Sequence, residues 1–144
     1  MPTVPDEWVL RCDGGSRGNP GPAACAFVLA DASGAEREAR GDYLGSTTNN
    51  VAEYRALIAG LEAAARHRVT ALAVRMDSEL VVRQMTGQYR VKHEGLKPLH
   101  ALASKAAAQI PALRWESVRR DDNTHADRLV NETLDRVLGS ESPR

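Results

Sequence analysis

Residues 8–22 read WVLRCDGGSRGNPGP. Trp8, Val9, Leu10 and Cys12 form a short apolar run that stops at Asp13. Gly14, Gly15, Ser16 and the Asn19-Pro20-Gly21-Pro22 cluster follow, so the stretch reads as a strand running into a turn. Beyond it, Ala23 to Leu29 is a second apolar strand. Asp31-Ala32-Ser33-Gly34 supplies a tight turn, and the segment from Ala35 to about Tyr43 is expected to pair back as a third strand. Its Glu36-Arg37-Glu38 stretch makes it an exposed one. Three strands in succession imply an antiparallel start.

After Gly45 the period changes. Tyr54, Leu57, Ile58, Leu61 and Ala65 recur at helical spacing, which predicts a long amphipathic helix from about Asn50 to His67. Asn50 with Glu53 resembles a capping box at its start, which would put Glu53 in the first turn. Leu72 to Met76 is a fourth strand, and Ser78 to Met85 a short helix closed by Gly87. Leu96, Leu99, Ala103, Ala106 and Ile110 mark another helix. Leu113, Trp115 and Ser117 alternate as a fifth strand, and Ala126, Leu129, Val130, Leu134 and Val137 give a last helix. The expected class is α/β, in the order βββαβααβα. Strands separated by helices need crossovers, so the second half of the sheet is parallel and the whole is mixed. Residues 1–138 are read as one domain, with a disordered tail from Gly139 to Arg144.

The chain has 144 residues, room for one domain with a real core. Its 19 basic and 19 acidic residues cancel, so no global field draws it to nucleic acid or to an anionic membrane, and any polyanion must meet a local patch. Lys92, Lys97 and Lys105 are the only lysines. The arginine bias suits forked contacts to phosphate, although a GC-rich genome would produce it too. The first residues, MPTVPDEWVL, lack a basic leader, and no stretch approaches the roughly 18 apolar residues of a membrane span, so a soluble, cytoplasmic protein is expected. Cys12 and Cys25 lie in apolar stretches without zinc-site spacing and read as buried thiols.

Four acids fall at element junctions. Asp13 ends the first strand, Glu53 opens the first helix, Asp77 ends the fourth strand and Asp127 lies in the first turn of the last helix. Carboxyl ends of strands and the helix N-termini beside them form the crevice of an open α/β sheet. The four can therefore converge across separations of about 40, 24 and 50 positions. Such convergence raises each carboxyl's pKa unless cations compensate it, and oxygen-only donors favour the hard ions Mg²⁺ or Mn²⁺. Each acid also has a bland reading: a turn aspartate for Asp13, a capping-box partner for Glu53, a helix cap for Asp77, a dipole partner for Asp127.

The neighbouring residues tip the balance. Asp13-Gly14-Gly15-Ser16 closed by Asn19-Pro20-Gly21, then Thr48-Asn49-Asn50-Val51-Ala52-Glu53, then Asp77-Ser78, then Asn123-Thr124-His125-Ala126-Asp127-Arg128-Leu129 resemble, in order and spacing, the four motifs of the type 1 ribonuclease H family. The resemblance runs from Trp8 to Leu134. It implies a five-stranded mixed sheet flanked by helices and an endonuclease that hydrolyses the RNA strand of RNA/DNA hybrids, leaving 5′-phosphate and 3′-hydroxyl ends. It also implies two Mg²⁺ or Mn²⁺ ions at Asp13, Glu53, Asp77 and Asp127. Asp13 would bridge both, Glu53 and Asp77 would hold the ion at the leaving 3′-oxygen, and Asp127 the ion at the attacking water. No organic cofactor is implied, and a monomer is expected. A 2′-OH is the handle that tells RNA from DNA. The Gly14-Gly15-Ser16 backbone, Asn19, Thr48, Asn49 and Asn50 are the candidates to meet the hybrid, with helix capping the alternative for the asparagines.

Two features depart from the better-known bacterial members of that family. The segment from Gly87 to Pro98 is short and holds only Arg90, Lys92, His93 and Lys97 in place of a basic helix and loop. The loop before the last aspartate is cut to Arg119-Arg120-Asp121-Asp122-Asn123. Arg120 resembles the residue of a short-loop subgroup and could bind the scissile phosphate, with a solvated charge as the alternative. His125, two residues before Asp127 and already on the helix, has a role as proton shuttle as its sharper, less favoured reading. A non-catalytic nucleic-acid module on this fold has no need for four crowded acids, and the Asn-rich second motif and small size weigh against a transposase or resolvase.

Overall fold

In the computed structural model, which describes residues 6–139, three strands open the chain: β1 (Trp8–Ser16), β2 (Gly21–Ala30) and β3 (Glu36–Thr47). Then come α1 (Asn49–Arg66), β4 (Ala71–Met76), α2 (Glu79–Met85), α3 (Lys97–Ala107), β5 (Ala112–Ser117) and α4 (Thr124–Gly139), with a 3₁₀ turn at Arg120–Asp122. The sheet has the order β3-β2-β1-β4-β5. β1 pairs antiparallel with β2 and β2 with β3, whereas β4 runs parallel to both β1 and β5. The mixed βββαβααβα sheet expected from the sequence is therefore present. Of the C-terminal tail expected from Gly139, Gly139 itself belongs to α4, and residues 140–144 lie outside the described residues. Among the described residues no helix is long and apolar enough to cross a membrane.

Each layer follows from the alternation of side chains along the strands. Leu10, Cys12, Cys25, Phe27, Leu29, Leu72, Val74 and Met76 point to one face, where Tyr54, Leu57 and Leu61 of α1 close over them, and α3 packs on α1 with Leu99 and Ala103 buried in the same core. Tyr54, Phe27, Leu10, Leu57 and Leu61 are wholly buried, each large aliphatic or aromatic side chain contributing about 1.5–3 kcal/mol. The opposite face is small over β2, where Ala24 and Ala26 accept Val130 and Leu134 of α4. Gly41 on β3 completes this seat, since a Cβ there would lie 2.3 Å from Thr133 Oγ1.

Three boundaries differ from expectation. The turn-like residues Asp13 to Ser16 remain in β1, held by antiparallel partners as far as Ser16↔Ala23. β3 continues past Gly45 because a register shift opposite Ala23/Ala24 lets the ladder run on to Thr47. The cap of α1 is Thr48 rather than Asn50: Thr48 Oγ1 accepts from the Val51 N–H at 3.3 Å. Asn50 therefore lies inside the helix and Glu53 sits beyond its first turn, so the capping-box reading of that pair does not hold.

Candidate active site

The parallel ladder between β1 and β4 ends at Cys12↔Met76, while β1 goes on alone beside β2. The two strands part at the residues that carry acids: Asp13, opposite Ala26 on the face that α4 covers, and Asp77, just past the end of β4. Gly14, next in the chain, turns to the other face and meets α1. A Cβ on it would fall 2.3 Å from the Ala52 carbonyl carbon and 2.5 Å from the Glu53 nitrogen. That close approach sets Glu53 over the end of β1, where the Gly14 N–H partly offsets the upward shifts of the Asp13 and Glu53 carboxyls.

One oxygen from each of Asp13, Glu53 and Asp77 lies within 4.8 Å of the others. Asp127, in the first turn of α4, is outside that trio but in hydrogen-bonding contact with Asp13. All four line one open cleft of about 770 Å³. Their proximity is unfavourable when charged. Burial, then the charge of Asp77, then contact with Asp127 push the Asp13 carboxyl up to about 8. Burial and the charges of Asp13 and Asp77 push Glu53 well above the usual carboxylate range. Glu53 Oε2 is buried with no hydrogen-bond partner, an uncompensated position that a cation would complete. With no His or Cys on the cleft wall, the donor set is all oxygen and fits a hard divalent ion.

This geometry removes two of the bland readings for the acids. Asp13 is 5% exposed inside a strand, so it is no turn aspartate. Asp77 does not cap α2, because Ser78 does, its Oγ accepting from the Val81 N–H at 3.3 Å. Asp127 keeps its place in the first turn of α4, where a favourable dipole interaction coexists with the cleft.

Of the residues singled out to meet a substrate, Gly14, Gly15, Ser16, Asn49, Asn50 and Arg120 line the cleft. Asn19 and Thr48 do not; with Asn50, His93 and Leu96 they line a separate pocket of about 160 Å³. Several of these polar groups are engaged within the protein. Asn19 Oδ1 accepts from the Asn49 N–H at 3.1 Å, and Asn49 Oδ1 accepts from the Ser16 N–H at 2.8 Å and its hydroxyl at 3.0 Å. The chain thus ties the β1–β2 turn to the start of α1. His125 faces Glu36 of β3, with Nε2 3.6 Å from Oε1, and takes no part in the cleft wall, which argues against a proton shuttle there.

Sequence reasoning passed over Arg119 and Asn131, which also line the cleft, and Asn123, which is wholly buried behind it. Asn131 Nδ2 donates to the Asp127 carbonyl at 3.1 Å and to its Oδ2 at 3.4 Å. Its i, i+4 spacing from Asp127 on a helix was a usable signal. Asn123 carried a signal of its own, as a polar residue immediately before a helix.

An open sheet split at β1 and β4, with carboxylates converging from two strands and two helices on the split, defines a carboxylate-centred α/β site that could hold a cation. Comparison with known proteins makes the class specific. A family model described as "Reverse transcriptase-like" matches residues 11–133. A bifunctional protein of Mycobacterium tuberculosis is 49% identical over 134 residues, which cover 92% of this chain and 36% of that protein. The chain thus spans only about a third of the length of the mycobacterial relatives it matches. The crystal structure of RNase H1 from the halophilic archaeon Halobacterium salinarum superposes with a TM-score of 0.86 at 40% identity, over 90% of this chain and 98% of that one. The structure of LC11-RNase H1 in complex with an RNA/DNA hybrid gives 0.86 at 42% identity, over 91% and 99% of the two chains. The chain belongs to the type 1 ribonuclease H family.

Proposed function

We propose that this protein hydrolyses the RNA strand of RNA/DNA hybrids, leaving 5′-phosphate and 3′-hydroxyl ends, with two Mg²⁺ or Mn²⁺ ions held by Asp13, Glu53, Asp77 and Asp127. The observation that carries the reading is the trio of carboxylate oxygens within 4.8 Å, completed by Asp127 and by the orphaned Glu53 Oε2. Bound cations would supply the charge that offsets these acids and the Lewis acidity that activates an attacking water and stabilises the departing 3′-oxygen. The chain's own groups do the positioning. Gly14 lets α1 bring Glu53 against Asp13, and Asn131 holds Asp127.

Substrate selection falls to groups beside the acids. The Gly14-Gly15-Ser16 backbone lets a sugar edge approach, and Asn50 on the cleft wall offers an amide that can exchange hydrogen bonds with a 2′-OH. Arg120, exposed on the cleft rim with Arg119, suits a phosphate flanking the cut. Asn19 and Thr48, off the cleft, serve the hybrid indirectly, Asn19 by holding the Asn49 N–H and Thr48 by capping α1. The relative LC11-RNase H1, whose structure holds an RNA/DNA hybrid, supports the same substrate for this chain.

The test is a gel with end-labelled hybrid, duplex RNA, duplex DNA and an RNA–DNA junction, each with Mg²⁺ and with Mn²⁺. The RNA of the hybrid should be cut to fragments that a polymerase can extend from their 3′ ends, and Asp13→Asn should abolish cutting while keeping the fold. Cleavage of duplex DNA alone, or full activity of the variant, refutes the reading.

A further inference from the structure

Asn123 is wholly buried, does not line the cleft, and yet joins three of the elements that make it. Its Nδ2 donates to the Cys12 carbonyl at 2.8 Å, at the residue where the β1–β4 ladder stops and immediately before Asp13. Its backbone N–H donates to the Arg120 carbonyl at 3.0 Å, closing the 3₁₀ turn on which Arg120 sits. Its carbonyl accepts from the Asp127 N–H at 3.1 Å, the first helical bond of α4 to reach that aspartate. Asn123 Oδ1 is buried without a hydrogen-bond partner, and turning the amide over would set that oxygen against the Cys12 carbonyl. The donor side is therefore fixed, at the expense of an unsatisfied acceptor. A structure concerned only with filling that space would place an apolar side chain there.

We propose that Asn123 is a positioning residue: its amide bond to Cys12 fixes the spacing of Asp127 from Asp13, and with it the strength with which this pair holds a divalent cation. Asp13 rides on β1 and Asp127 on α4, and α4 packs chiefly on β2 and β3, through Ala24, Ala26 and Gly41. That seat leaves the start of α4, the end nearest Asp127, to be tied to β1 by the Asn123 amide. The Asn123 bond lies one residue from Asp13 in one direction and four from Asp127 in the other, so it ties the start of the helix to β1 beside the acids. The role in catalysis rests on the nuclease reading above, whereas the role in cation binding does not.

Mn²⁺ itself is the probe, measured by titration calorimetry on the whole chain beside thermal melts in chelator and steady-state cleavage of a hybrid. Asn123→Ala should keep its circular dichroism, bind Mn²⁺ at least fivefold more weakly, and lose at least tenfold in kcat with KM for the hybrid within twofold. Raising Mn²⁺ should recover part of the lost kcat, a rescue that a merely loosened fold would not give. Asn123→Leu, close in volume but without a donor toward Cys12, should show the same weakening, and it carries the test if the alanine variant does not fold. Wild-type Mn²⁺ affinity in either folded variant overturns the proposal, as does a KM rise with kcat unchanged. A wild type that binds Mn²⁺ but leaves the hybrid uncut refutes the nuclease reading alone, and the calorimetry still decides the role of Asn123.

Discussion

Replacing Asp13 by Asn should stabilise the cation-free protein while destroying its activity, and the gain should grow with pH. Asp13 has its carboxyl raised from 3.8 to about 8, chiefly by burial and then by Asp77 and Asp127. Between those two values the folded chain keeps a proton that the unfolded chain has released. Stability is therefore full below about pH 4 and falls by about 1.4 kcal/mol per pH unit up to about pH 8. By pH 7 the accumulated loss is on the order of 4 kcal/mol, with Glu53 acting in the same direction. Coulomb's law gives a similar scale, since two charges 4.8 Å apart repel by about 3.5 kcal/mol at an effective dielectric constant of about 20. An amide at this position does not titrate, so the variant escapes the loss. Thermal melts in chelator at pH 4.5, 6, 7 and 8 should show the smallest gap, about 1 kcal/mol, at the lowest pH. The variant should then pull ahead until its melting point is higher by on the order of 10 °C at neutral pH. Saturating Mn²⁺ should raise the wild type far more than the variant. A gap that is absent at pH 7, or that does not widen with pH, would show that the acids are not crowded as described.

Three further substitutions probe separate parts of the molecule. Gly14→Ala drives a methyl into the Ala52 and Glu53 backbone, which cannot move without lifting α1; a loss of about 1–3 kcal/mol or more in urea melts, together with loss of cleavage, is expected. Arg68→Gly should stabilise by about 0.5–1 kcal/mol with activity unchanged, because Arg68 sits at φ 57° beyond the C-terminus of α1, where the Val69 N–H bonds back to Ala64. Arg120→Ala should raise KM for the hybrid and lower the slope of log affinity against log salt by about one, as measured by binding at several salt concentrations; an unchanged slope would make Arg120 a solvated charge.

The residues that were legible in the sequence and those that were not differ in one physical respect. Leu10, Cys12, Tyr54, Leu57 and Leu61 bury one face of their own element, so the period of their spacing shows in the chain itself. Ends of elements depend on partners far away in sequence. Asp13-Gly14-Gly15-Ser16 has the composition of a turn, yet the β2 ladder holds it in a strand. The stop of α1 carries no glycine to mark it, because Arg68 takes the left-handed position that glycine ordinarily fills.

The site shows the same division. Its four acids could be picked out because the chemistry of a cation site demands carboxylates and because the motifs around them resemble those of a known family. Nothing local in the sequence shows that Asn123 reaches Cys12, 111 positions away, or that Asn19 spends its carboxamide oxygen on the Asn49 N–H and not on a ligand. An acid that must hold a cation is constrained by what it is, whereas an amide that orients the acid is constrained by where its partner lies. Function in this fold is therefore easier to read from the sequence than precision. The distance between Asp13 and Asp127 depends on β1 and α4 being fastened together, and the fastening is made by residues whose types alone would suit any loop.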